Sequence, residues 1–381
     1  MKFFKVFKAE SKLIFTDVAL VLTIIGGVLL YVFLYPQPCS SQSVSGLSIS
    51  FVDLDKSKLS REIAFKLNST PQISITRYDM SERDAKNALV EGNIKAIVVI
   101  PHNFSKDVTL GKSPVVAVGA DSSYFLIYGA VLEGAMKSVL TQSASMKVGK
   151  LLISGAPMVG AVKAYTPYTL NTINLFNTNN SYTQYVIPAV YIIILQQTML
   201  IGLGILGGGI NERIRTRQRG YYNEAPVWMM MLSRFIIFGA IFFVHILFYF
   251  GFSFSFFEVT HISSVSNLLN FSVAFLTASI FFGIFLGALF SSREIATPVI
   301  LFSSLPLVFS VGFIWPLEAI PMFIQNLSYL VPSTPAMQGF LRLNQMGVEF
   351  NAIMPQYKTL WIQAVVYAGL AYFILDKKRR A

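Results

Sequence analysis

The chain has 381 residues, 54% of them hydrophobic and only 13% charged, with a mean hydropathy of +0.58. Soluble domains carry roughly 25% charged residues, so a cytosolic globular protein is excluded. The single cysteine, Cys39, likewise excludes an intrachain disulfide or a cysteine-based metal site. The net charge of +11 invites a nucleic-acid reading, but it lies in flanks of apolar runs long enough to cross a bilayer, where it sets topology instead.

In chain order, residues 1–17 read as a cytoplasmic amphipathic segment, with Phe3, Phe4, Phe7, Leu13 and Phe15 set among lysines. Residues 18–35 form the first span. It reads as an uncleaved anchor, because its apolar stretch is long and no A-x-A site follows. Tyr35-Pro36-Gln37-Pro38 before Cys39 lacks the small residues that a lipidation site needs.

Residues 36–183 have the composition of a soluble domain and are placed outside the cell. Leu47–Asp53 alternates like a strand, 57–68 reads as a helix and 72–77 as a strand. Residues 81–91 read as a helix begun by Ser81 with Asp84 in a capping position. Ile94–Ile100, apolar almost throughout, is the strand expected at the centre of a sheet, and 115–120 is a further strand. This alternation predicts a small mixed sheet covered by helices. From 123 to 153 the pattern turns helical: a stalk, a lateral docking surface, or simply a helix packed on the sheet.

Five more spans follow, at 186–210, 235–257, 268–290, 295–315 and 357–375, within a membrane domain of 186–375, and then a tail of 376–381. Lysines and arginines crowd the N-terminal segment, the 211–234 loop and the C-terminus, whereas the alternate loops hold almost none. Positive residues stay inside, so both termini and the 211–234 and 291–297 loops are expected in the cytoplasm. The fold class is a polytopic α-helical membrane protein of six transmembrane helices with an inserted extracytoplasmic mixed α/β domain.

Motifs for catalysis or cofactors fail on context. Gly202-Leu-Gly204-Ile-Leu-Gly207 matches a dinucleotide fingerprint but sits in a span with no strand before it. It reads as small-residue helix packing, in which Gly204 with Gly208 and Gly283 with Gly287 let helices approach closely, within one subunit or across a dimer. Gly111-Lys112-Ser113 lacks the first glycine of a phosphate-binding loop, so the chain has no ATPase site and no enzyme activity of its own is expected. His102, His245 and His261 have no metal-ligand spacing. His245 in mid-span is expected to be neutral and hydrogen-bonded to a neighbouring helix. Gln196, Gln197 and Asn270 either join helices or line a polar pathway.

The stretch Asn211–Gly220 places an arginine at every second position: Arg213, Arg215, Arg217 and Arg219. With Glu212 it is either a set of interfacial anchors or a helix lying along the inner surface to receive a cytoplasmic partner, ended by Gly220, Tyr221, Tyr222 and Pro226. Residues 316–346 contain Pro316, Pro321, Pro332 and Pro335, which break a half-apolar segment into short helices. A re-entrant lid or outer gate fits that pattern, since irregular backbone at membrane depth survives only where protein or water satisfies it.

With these stretches in view, the chain resembles the permeases of type-2 ABC exporters that carry a large first extracytoplasmic loop. The likeness rests on Val52-Asp53-Leu-Asp55 with Leu59-Ser60-Arg61, on Ile97–Ser105, on Gly312-Phe-Ile-Trp-Pro316 with Ile320-Pro321, and on Val331-Pro332-Ser-Thr-Pro335 through Gly347. The inner loop departs from the family pattern: Arg215-Thr216 stands where Gly-Thr is usual. The resemblance implies export driven by a separate ABC ATP-binding subunit, a second permease copy (homodimer or related heterodimer), and, in a diderm cell, a periplasmic adaptor and an outer-membrane channel. It implies the bacterial inner membrane as location. A membrane receptor or secretion-assembly scaffold using its outer domain is the rival. The substrate is not legible.

Overall fold

The computed structural model describes residues 2–37, 44–165, 175–177 and 181–380; Cys39 lies outside them. The chain divides into two compact units, one of residues 1–40 and 174–381 and the other of 41–173.

The first unit opens with α1 (Phe3–Thr16) and α2 (Val18–Leu34), bent by 79°. Asp17 makes the corner. Its extended backbone ends α1, and its carboxylate accepts the N–H groups of Ala19 (3.1 Å) and Leu20 (3.3 Å), which have no partner at a helix start. The buried stripe of α1 is Val6, Glu10 and Ile14, spaced four apart on one face. Phe4 and Phe15 point away from the bundle. α2 widens into a π-helical stretch at Leu22–Gly27.

The second unit is a four-stranded sheet with helices. It runs β1 (Leu47–Asp53), α3 (Lys58–Asn68), β2 (Ile73–Asp79), α4 (Glu82–Val90), β3 (Ala96–Ile100), α5 (Phe104–Thr109), β4 (Ala117–Ala120), α6 (Phe125–Ile153) and α7 (Met158–Tyr165). The order is β2-β1-β3-β4, with β1 parallel to both β2 and β3 and β4 antiparallel to β3. The expected mixed sheet is present, and Ile94–Ile100 does supply an inner strand. Ile49 and Phe51 of β1, Ile63 and Leu67 of α3, Val98 of β3 and Val131 of α6 form its core. Local polar chemistry sets the helix starts: Ser81 accepts the Asp84 N–H at 3.2 Å, and Ser57 and Ser60 make a reciprocal capping box.

α5 is an element the sequence pattern did not suggest. It joins the ends of β1 and β3: Leu54 N–H donates to the Ile100 carbonyl (3.1 Å), and Asp55 Oδ2 accepts the Ser105 N–H (3.0 Å). Partial burial raises the Asp55 carboxyl, but hydrogen bonds from Ser57 and Ser105 outweigh it and hold the group below its ordinary range.

The first unit resumes with α8 (Tyr182–Arg215), α9 (Tyr221–Glu224), α10 (Val227–Phe256), α11 (Val265–Leu289), α12 (Arg293–Ser310), α13 (Met322–Ser328), α14 (Ser333–Asn344) and α15 (Met354–Arg380). Five helices are long and apolar enough to cross a membrane: 183–215, 227–256, 265–289, 293–310 and 350–379. The bent α1–α2 pair makes up to six. These helices run past the expected spans at most ends, because polar and charged residues continue a helix beyond the apolar limit. α8 is central, with 94% of its most apolar stretch buried, against 17% for α12. α12 accordingly exposes Phe302, Leu305 and Phe309, as a lipid-facing helix does.

Glycines set how closely α8 approaches its neighbours. A Cβ on Gly207 would lie 2.6 Å from the Gly287 carbonyl carbon, and one on Gly283 would lie 2.6 Å from the Leu203 side chain. Gly204 faces Ala296 and Ile300 of α12, and Gly208 meets the Ser292 carbonyl. Both expected glycine faces therefore meet neighbours inside the chain, and Gly207 against Gly287 is where the backbones of α8 and α11 come together glycine to glycine. Gly207 belongs to the decoy fingerprint rather than to either expected pair.

Candidate functional site

The arginine stretch does not form a helix of its own. Asn211–Arg215 are the last residues of α8, so Glu212, Arg213 and Arg215 ride on the end of a long apolar helix. The helix closes in a Schellman turn: Gln218 N–H donates to the Arg213 carbonyl (2.9 Å) and Arg217 N–H to the Ile214 carbonyl (3.0 Å). Arg217 takes the left-handed conformation there, with φ of 58°. The expected surface helix ended by Gly220 is thus corrected: the stop comes at Thr216, because the last carbonyls of α8 find partners there. Gly220 is extended, and the one-turn α9 follows it before Pro226 leads into α10. Arg215, Arg217 and Arg219 are exposed, whereas Glu212 and Arg213 are half-buried.

Behind this surface lies a buried charge pair. Arg234, expected in the loop, sits instead two turns inside α10 with its side chain 3% exposed, and Glu10 of α1 is fully buried. Arg234 Nε and Nη2 both donate to Glu10 Oε1, at 3.1 and 3.0 Å. Tyr221 of α9 stands beside them. Burial, with the Glu10 carboxylate next to it, drives its hydroxyl far above the ordinary tyrosine range, so it stays protonated. The ion pair thus bonds α1 to α10, and Tyr221 of α9 packs beside it, its hydroxyl and Glu10 Oε2 both buried without a hydrogen-bond partner among the described residues. The sequence reading missed Glu10 because it counted the phenylalanines of α1 rather than the stripe spaced by four that carries the acid.

Other ties converge on the same end of the bundle. Arg293 at the start of α12 pairs with Asp17 at 3.0 Å. Asn211 Nδ2 donates to the carbonyls of Gly287 (3.0 Å) and Phe290 (2.7 Å) at the end of α11. From α15, Lys378 Nζ donates to the Ala288 carbonyl (2.6 Å) and Arg379 to the Ala225 carbonyl (3.3 Å). Ile214, Tyr222, Val227, Leu375 and Lys378 line a small cavity of about 170 Å³ there. Basic residues from the middle and end of the chain thus meet acids from its start at one end of the unit.

Residues 316–346 lie at the opposite end. Pro316 precedes a single 3₁₀ turn (Leu317–Ala319), Pro321 precedes α13, Pro332 precedes α14 and Pro335 is buried in its first turn. Each proline sits at a helix start, where the missing N–H costs nothing. The segment is held by neutral hydrogen bonds. Gln363 Nε2 of α15 donates to the Tyr329 carbonyl (2.7 Å), Tyr367 hydroxyl donates to the Leu330 carbonyl, and Tyr329 hydroxyl donates to Gln338. His261 Nδ1 meets Asn344 Oδ1, and Thr260 donates to Gln184 Oε1 at 2.6 Å.

Gln196 donates to Ser333 Oγ at 3.1 Å, from a position 14 residues into α8. At 1.5 Å per residue, the start of α14 reaches about 20 Å along α8. Gln197 donates to Ser304 Oγ of α12 (2.8 Å), and Asn270 accepts from the Tyr357 hydroxyl of α15 (3.0 Å). All three expected pathway residues are thus engaged in helix-to-helix bonds. His245 departs from expectation: its Nδ1 is buried with no hydrogen-bond partner in the structure, and its ring packs edge-on against Phe242. A second polar cluster had no sequence signal. Tyr191 hydroxyl lies 2.6 Å from Ser253 Oγ, and Tyr249, in a π-helical stretch of α10, donates to the Val28 carbonyl of α2 (2.7 Å).

Among the described residues no three His, Cys, Asp or Glu come together as a metal site. Lys112 of the Gly-Lys-Ser stretch pairs with Asp107 at 3.1 Å. No curated protein matches the chain. The model of the family described as "ABC-2 family transporter protein" matches residues 18–373, nearly the whole chain from α2 to α15. An apolar helical bundle with a basic end, an inserted mixed sheet and a match of that extent establish that the chain belongs to the ABC-2 family of transporter membrane proteins.

Proposed function

We propose that the chain is the permease subunit of an ATP-driven exporter, working as a pair of permease copies in the bacterial inner membrane with both termini in the cytoplasm. Family membership implies an ATP-binding partner subunit, and the loop from Glu212 to Pro226, exposed at Arg215–Arg219 and at Asn223 and Glu224, is where that partner docks. The observation that carries this reading is the Glu10–Arg234–Tyr221 cluster. The ion pair fastens α10 to α1, and Tyr221 of the loop's short helix is buried against it, so a push on the loop is passed by packing to both helices rather than bending a free strand of chain. At the far end, the proline-led segment 316–346 acts as the outer gate, beneath which Gln196, Gln197 and Asn270 border the route. The 41–173 unit lies outside the cell and meets an adaptor and an outer-membrane channel.

The test is stimulation of the partner ATPase. Arg213→Glu with Arg217→Glu, or Glu212→Ala, is expected to abolish permease-stimulated ATP hydrolysis while membrane insertion stays normal, because truncating a desolvated interface charge costs about 2–5 kcal/mol. Variants that insert and still stimulate at the wild-type rate would reduce the loop to a topological anchor.

A further inference from the structure

The 41–173 unit contains a cavity of about 520 Å³ between α5, α6 and the edge strand β4. That volume lies within the range of roughly 300–1,000 Å³ typical of small-molecule sites. Its walls are mainly apolar and come from four elements: Ile63 of α3, Phe104 and Val108 of α5, Val116 and Val118 beside and within β4, and Val139 of α6, with Gln142 and Ser143 of α6 adding polar groups. Leu132 and Met136 on α6 remain 36% and 53% exposed along it, which is a large apolar surface for a soluble fold to leave open.

The charges on this cavity are of one sign. Lys112, Lys147 and Lys150 line it, and no Asp or Glu does. The nearby acids are already engaged: Asp107 pairs with Lys112 at 3.1 Å, and Glu62 accepts from Gln142 at 2.8 Å. Among the described residues Lys150 Nζ donates to the Val108 carbonyl at 3.2 Å, and an ammonium has three N–H groups to give. Lysine stems lie readily along apolar surface with the charge held at its rim. An apolar slot with ammonium groups on its border recognises a molecule with a hydrocarbon tail and an anionic head.

We propose that this cavity binds a single-chain amphiphilic anion, such as a fatty acid, with the tail between α6 and β4 and the head at Lys150 on its basic border. The site goes beyond the transport reading and does not depend on it, since binding needs neither ATP nor a second copy. The experiment uses the full chain in phosphatidylcholine nanodiscs and palmitate carrying a diazirine near its tail end, with the matching diazirine hexadecanol as the uncharged control. Photolabelled peptides are expected within 104–118 and 125–150, with labelling about fivefold or more above that by the alcohol. Lys147→Glu with Lys150→Glu is expected to bring labelling by the acid down to that of the alcohol. Met136→Trp, at an exposed position on the mouth, is expected to block both probes without touching the core. Free palmitate competing with the label identifies a ligand taken from water; labelling that only palmitate incorporated into the nanodisc supplies identifies the membrane as the source. Labelling confined to the membrane helices, or equal labelling by acid and alcohol in the native chain, would overturn the proposal.

Discussion

The two ends of the helical unit are held together by different chemistry. At the basic end the ties carry charge: the buried pair of Glu10 with Arg234, the half-exposed pair of Asp17 with Arg293, and Lys378 on a backbone carbonyl. At the opposite end they are neutral bonds of amides, hydroxyls and carbonyls, from Gln363, Tyr367, Tyr329 and Gln184. A buried ion pair is expensive to open, because separating it strands a charge away from water. A neutral hydrogen bond exchanges partners at a cost of about 1 kcal/mol. The contrast suits a machine in which one end must transmit force as a solid body and the other must rearrange.

The largest effect that would break this comparison lies at Glu10. Glu10→Ala or Arg234→Ala alone is expected to destabilise the chain by about 3–5 kcal/mol, whereas replacing both with apolar residues of similar size recovers most of it. Thermal unfolding in nanodiscs reads both. Equal loss in the single and double variants would show that the pair is not the tie it looks to be.

At the neutral end the stability effect is smaller and the dynamic effect larger. Gln363→Ala or Tyr367→Phe is expected to cost about 1 kcal/mol while speeding maleimide labelling of a cysteine placed at Leu330, in a chain with Cys39 replaced by serine. Unchanged labelling would mean that 316–346 is clamped by packing, through Pro335, Gly339 and Phe340, rather than by these bonds.

The half-exposed ion pairs calibrate the scale. Asp17→Asn is expected to cost about 1 kcal/mol or less, since the Arg293 side chain is 40% exposed, and to weaken the cap on α2 as well. In the 41–173 unit, burial raises the Asp79 carboxyl, but hydrogen bonds from Ser50 (2.7 Å) and Arg77 outweigh it and leave its pKa below the usual 3.8. That contribution is fully present above the unfolded value and is lost as pH falls through the lower folded one. Ser50→Ala should therefore lose about 1 kcal/mol or less at neutral pH, and chemical unfolding followed against pH should show the gap to the native chain closing as pH falls through the folded value.

The sheet unit was more legible than the bundle for a reason of range. Ser57, Ser81 and Asp84 act on backbone groups three residues away, so their pattern in the sequence is their pattern in space. Glu10 and Arg234 are 224 residues apart, and nothing near either predicts the other. The same holds for Tyr191 with Ser253 and for Gln196 with Ser333. The arginine loop was legible in composition but not in shape, because the end of α8 depends on which carbonyls the Schellman turn satisfies. α5 was hidden because its start, Asn103, has a left-handed backbone (φ 57°) that no periodicity announces.

By itself the sequence determined that this is a membrane chain with long apolar helices, an inserted mixed sheet and basic flanks, since apolar length, strand alternation and capping are properties of neighbouring residues. Only the tertiary structure decided which glycine lets α8 meet α11, that α1 is fastened through a buried acid, and that the two ends of the bundle are tied by charge and by neutral bonds respectively. Those outcomes depend on which side chains meet after burial, where the loss of water makes a paired charge strong and an unpaired one prohibitive.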